Sequence, residues 1–97
     1  MKRYAVVAVP TGLKSFKKLP ESVREHLKQE LSRLEEDPMS VGKKLKGVFS
    51  LYHSLHTKHK GVEYRVIYRV YPENREVIMV YVASRENLYR ELERLKL

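Results

Sequence analysis

The stretch "GVEYRVIYRV" (residues 61–70) carries arginines at 65 and 69 inside what reads as a strand. Successive side chains in a strand point to opposite faces. Tyr64, Val66, Tyr68 and Val70 therefore share an apolar face, while Arg65, Ile67 and Arg69 share the other. Guanidinium groups on a strand face suit phosphate, because the planar, permanently charged fork meets two oxygens at once. Just upstream, "HSLHTKH" (53–59) supplies His53, His56 and His59, and "GKKLKG" (42–47) sets Lys43, Lys44 and Lys46 between two glycines. Histidine titrates near neutrality and can move protons there. Clustered lysines suit a nucleic-acid backbone. The histidines do not read as a metal centre: on a strand, 53 and 56 point oppositely, and 53 and 59 are too far apart to share an ion.

The whole chain agrees with a polyanionic partner. Twenty Lys+Arg against twelve Asp+Glu leave a net charge of +8 on 97 residues, which favours nucleic acid or an acidic protein segment. That length predicts one domain, 1–97, with a single core. The absence of cysteine excludes disulfides and thiol chemistry. No apolar run approaches a membrane span. The opening "MKRYAVVAVP" has an apolar run of only about five residues, below the roughly 7–15 of a secretory core. A first strand and a cytoplasmic protein are expected, with no membrane association.

The elements that must position these residues follow from periodicity. "RYAVVAV" (3–9) predicts a strand ended by Pro10. Leu13, Phe16, Leu19, Val23, Leu27, Leu31 and Leu34 recur at steps of three and four, the helical period. Pro20 suits a first helical turn, so the stretch divides into a short helix near 12–18 and a longer one near 20–36. Asp37-Pro38 ends the second, since the residue before proline disfavours the helical region. Residues 39–50 read as a loop. A strand at 49–58 would place Leu51, His53 and Leu55 on its core face, and Ser54, His56 and Lys58 on the other. "KHKG" turns it into the strand at 63–71. "PENR" leads on to "EVIMVYVAS" (76–84), whose continuous apolar run predicts burial on both faces. "SRENLYRELERLKL" closes the chain as a helix, with Ser84 as a candidate cap and Leu88, Leu92 and Leu95 at helical spacing. The expected fold is α+β: a small twisted, mainly antiparallel sheet, two N-terminal helices packed on one face, a C-terminal helix, and the order β-α-α-β-β-β-α.

The succession of "KLPESVREHLKQELSRLEEDP", "GKKLKG", "YRVIYRV" and "VASRENLY" resembles the RelE/ParE-family toxins of type II toxin–antitoxin systems over nearly the whole chain. In the RelE-like branch the resemblance implies cofactor-free, metal-independent cleavage of messenger RNA, usually on the ribosome. The RNA's 2′-hydroxyl attacks the adjacent phosphate and leaves a 2′,3′-cyclic phosphate. It also implies a cognate antitoxin that covers the basic face, sometimes displacing the last helix. Arg65 and Arg85 match the family's phosphate-contacting arginines, which are expected on one concave surface. Tyr89 matches an aromatic on which a base can stack. Lys43, Lys44, Lys46 and Lys58 become candidate contacts to the RNA backbone. Where well-known ribonucleases of the family place two lysines, this chain has Ser54 and His56; His56 is then the candidate acid–base group, expected to protonate the 5′ leaving oxygen. Arg69 has no family counterpart and reads as a solvated or salt-bridged strand residue. The alternatives are a ParE-like inhibitor of gyrase or another protein, and a degenerate toxin that binds only its antitoxin.

Overall fold

The computed structural model describes residues 3–95, apart from the side chains of Asn87, Tyr89, Leu92, Glu93 and Leu95. Five strands form one sheet in the order β1-β5-β4-β3-β2. They are β1 (Ala5–Ala8), β2 (Lys43–Lys44), β3 (His53–His59), β4 (Val62–Tyr71) and β5 (Glu76–Ser84). β1 runs parallel to β5, and every other pairing is antiparallel. Helices α1 (Pro10–Lys17) and α2 (Glu21–Glu36) follow β1, a four-residue helix α3 (Pro38–Val41) precedes β2, and α4 (Leu88–Leu95) ends the chain.

The expected α+β architecture with two N-terminal helices on one face is what forms. Val23, Leu27 and Leu34 of α2 bury against Leu55, Val66, Tyr68, Val77, Met79 and Val82 of the sheet, with Phe16 of α1 at the margin. Each such large apolar side chain contributes about 1.5–3 kcal/mol when fully buried. Tyr68 sits at the centre with no exposed surface, and its hydroxyl donates to the Pro38 carbonyl at 2.7 Å. Burial pushes the Tyr68 phenol up to about 12, so it stays a neutral donor. A smaller cluster lies on the opposite face, where Ile67, Val80 and Leu88 are joined by Leu45, Phe49 and Tyr52.

Helix α1 takes over where β1 stops. β1 pairs with β5 only as far as Ala8 and Met79, which leaves the next β5 backbone groups on that side without a strand. Thr11 donates to the Val80 carbonyl at 3.3 Å, and the Val82 N–H donates to Ser15 Oγ at 3.0 Å. The approach is so close that a Cβ on Gly12 would collide with the Met79 carbonyl.

Several boundaries differ from the periodicity. The segment 39–50 is not all loop: Pro38 opens α3 instead of only ending α2, and Lys43–Lys44 pair with β3 as an edge strand. β3 begins at His53, because Gly47 at φ +67° and a 3-10 turn over Gly47–Phe49 curl the preceding chain. Leu51, expected on the core face, lies in the turn just after it and is 61% exposed. Ser84 makes no side-chain cap; a 3-10 turn at Arg85–Asn87 intervenes before α4. Among the described residues, no helix is long and apolar enough to cross a membrane.

Candidate functional site

A two-residue turn fixes the geometry. Lys60 and Gly61 both adopt left-handed backbone, at φ 50° and 82°, the conformation that tight hairpins between twisted strands require. His59 therefore pairs with Val62, and the count runs back through Lys58↔Glu63 to His56↔Arg65. Directly opposed residues in an antiparallel pair share a face. His56 and Arg65 are thus neighbours on the side of the sheet away from α2, with Lys58 and Glu63 in the adjoining row.

The β4–β5 register adds Arg85. From the Pro72–Asn74 turn the strands pair Tyr71↔Glu76 through Tyr68↔Met79, then slip by one residue, so that Ile67 faces Tyr81 and Arg65 faces Ala83. Val80 is the extra residue of this bulge. A one-residue slip exchanges the faces of everything beyond it. Without the slip, Ser84 would lie opposite Glu63; with it, Arg85 does. The Arg85 Nη1 sits 3.1 Å from Glu63 Oε2.

The face thus carries His56, Arg65, Lys58, Glu63 and Arg85 together, with Lys43 one row away as the register partner of Ser54. Two depressions open along this face. One, ≈ 380 Å³, is lined by Lys43, Lys44, Leu45, Lys46, His56 and Arg65. The other, ≈ 750 Å³, is lined by Lys58, Glu63, Arg85 and the turns beside them. Arg65 is half-buried and has no ion-pair partner among the described residues. His56 is held below the usual histidine range, first by desolvation, then by the Arg65 and Lys43 charges, with a smaller push from Arg85; Glu63 opposes them. The imidazole senses all four groups, an electrostatic measure of their convergence. It is predominantly neutral at neutral pH.

Other sequence candidates fall elsewhere. Lys44 pairs with His53, and its charge bears on that buried ring. Ser54 is on the cationic face yet buried beside Ile67, so it offers nothing to the open surface. Arg69 stacks its guanidinium over Tyr71, 4.9 Å from the ring centroid. The opening pair of arginines therefore divides into one half-buried in a groove and one packed on a ring. The three histidines of "HSLHTKH" separate as well: His53 stacks on Tyr68, His59 stacks on His26 of α2, and His56 faces the groove. The Tyr89 side chain lies outside the described residues. Glu63 went unread in the sequence, although the alternation that groups 65, 67 and 69 includes 63.

Comparison with known proteins places the chain in a family. Residues 6–93 match the model of the ParE-like toxin of type II bacterial toxin–antitoxin systems. The mRNA interferase toxin RelE of Escherichia coli is 35% identical over 75 residues, 77% of this chain and 76% of the relative. Among solved structures, the toxin–antitoxin complex RelBE2 of Mycobacterium tuberculosis superposes with a TM-score of 0.75 at 27% identity, covering 88% of this chain and 94% of that one. A mutant of E. coli RelE in the free state gives 0.76 at 28% identity, covering 99% and 97%. The intact E. coli RelBE complex gives 0.70 at 30% identity, covering 82% and 94%.

Proposed function

The chain belongs to the RelE/ParE family of type II toxins, and from that premise we propose that it is a metal-independent endoribonuclease that cleaves messenger RNA on the ribosome and is neutralised by a cognate antitoxin. The observation that carries this reading is the opposition of Arg65 and His56 across β3 and β4, in a groove lined also by Lys43 and Lys46. The antitoxin is supported by the RelBE complexes among the structural relatives.

The residues divide the work. Arg65 forks onto the non-bridging oxygens of the scissile phosphate and stabilises the charge that grows there in the transition state. His56, neutral because partial desolvation and then its cationic surroundings lower its pKa, takes the proton of the 2′-hydroxyl. That assignment replaces the proton-donor role expected from sequence, since a donor must be charged beforehand. The 2′-oxygen bonds to phosphorus as the bond from phosphorus to the 5′-oxygen breaks. Lys58, two residues along β3 and about 7 Å away on the same face, gives the leaving oxygen its proton. The products are a 2′,3′-cyclic phosphate and a 5′-hydroxyl. Lys43 and Lys46 hold the flanking backbone, and Tyr89 supplies a surface on which a base stacks.

Primer extension on messenger RNA, with and without ribosomes, tests the reading directly. Wild type should give discrete ends bearing cyclic phosphate, and Arg65→Ala should lower turnover by about 10²–10³-fold with an unchanged melting curve. Intact RNA under both conditions, together with inhibition of gyrase by the pure protein, would move the chain to the ParE-like mode.

A further inference from the structure

Resting on that reading, we propose that Glu63 is a placeholder for a substrate phosphate: its carboxylate occupies Arg85 in the free protein, and an RNA phosphate displaces it. Glu63 lies between two cations. Its register partner is Lys58 on β3, and on the other side it accepts from Arg85 Nη1 at 3.1 Å. Without an anion between them, Lys58 and Arg85 would repel one another across the groove. A carboxylate and a phosphate offer a guanidinium the same kind of paired oxygens, so either can fill the position.

The contact is built to be given up. Among the described residues it is a single Nη1–Oε2 bond, with the rest of the Arg85 fork uncommitted to them, and the two side chains are 65% and 48% exposed. Exposed pairs of this sort gain little over hydration and are screened by salt. A phosphodiester held at the same time by Arg65 and the lysines of the adjoining depression outcompetes it through several contacts at once. Glu86 also lines the groove, but the bond to Arg85 is made by Glu63. Glu63 is thus a positioning residue that acts through Arg85, keeping the guanidinium over the groove and lowering affinity until a phosphate arrives.

The probe is a short RNA methylated at every 2′-oxygen, which lacks the attacking hydroxyl, titrated at several salt concentrations. Glu63→Gln frees one cation and should bind several-fold more tightly at low salt, with the slope of log K against log salt steeper by about 0.7. On cleavable RNA, KM should fall while kcat stays within a few-fold, and Glu63→Asp, too short to keep the bond, should lie between. Unchanged affinity and slope in Glu63→Gln would overturn the placeholder, and so would a collapse of kcat at constant KM, which would make Glu63 a proton-transfer group. Arg65→Ala separates this inference from its premise. Weaker binding in Arg65→Ala with no change in Glu63→Gln removes only the placeholder; no change in either variant removes both.

Discussion

Strand β4 presents two chemistries on its two faces. Toward α2, Val66 and Tyr68 have no exposed surface, and the Tyr68 hydroxyl is bonded to Pro38. Away from α2, Arg65 keeps its charge in an open groove without a carboxylate partner among the described residues, beside an imidazole that other cations crowd. Two histidines on β3 sample the same contrast. His53 is 8% exposed on the helix side, and its pKa is lowered by burial and then by Lys44. His56 is exposed, and its pKa is lowered by partial desolvation and then by Arg65 and Lys43. The covered face supplies stability; the open face concentrates like charges, which costs stability and suits an anionic partner. Variants on the covered face should move melting and leave catalysis alone, and variants on the open face should do the reverse.

The largest expected effect is at His56. His56→Gln should slow cleavage by about 10²–10⁴-fold, the usual range for one acid–base group, with little change in melting temperature. The pH profile gives the role. As the acceptor of the 2′-hydroxyl proton, neutral His56 makes the rate rise with pH through a midpoint below 6.5 and level off near neutrality. A rate that instead falls through that midpoint would restore the donor role. His56→Gln should lose that limb either way.

Next comes the covered face. Tyr68→Phe deletes the 2.7 Å bond and leaves the Pro38 carbonyl buried without its donor, at a cost of about 1–3 kcal/mol. Chemical denaturation would register this as a lower midpoint at unchanged slope. kcat per folded molecule should match wild type. A loss of kcat comparable to the His56 variant would mean that the two faces are coupled through β4.

The division is partly legible in the sequence alone. Alternation along 64–70 assigned both faces of β4, and helical spacing found the buried stripe of α2 from Val23 to Leu34. The opposition of His56 and Arg65 also follows from the sequence once the turn is confined to Lys60 and Gly61. What could not be read depended on short or non-local features. α3 and β2 have four and two residues, fewer than any periodicity can register, and Asp37-Pro38 signals a helix end and a helix start equally well. The meeting of Arg85 with Glu63 depends on a bulge at Val80, where α1 lies against β5. No local residue pattern announces it.

The smallest effect is also the most discriminating, because it uses the two histidines against each other. His53 has a folded-state pKa below the unfolded value of about 6.5, so the native state binds fewer protons than the unfolded chain. Its contribution is complete above the unfolded pKa and is lost as pH falls through the folded one. Stability should therefore decline on acidification below about 6.5, with a slope from this group of at most about 1.4 kcal/mol per pH unit. His53→Gln removes the titration and should flatten melting temperature against pH between 5 and 8, while leaving the activity profile in place. His56 carries a depressed pKa too, so His56→Gln should flatten the stability curve in part, but it alone should abolish the activity limb. Melting curves for both variants across that range, set beside their cleavage profiles, give a crossed comparison. If His53→Gln changed the activity limb, or left the stability slope untouched while His56→Gln removed all of it, the burial of His53 would not be what separates the two faces.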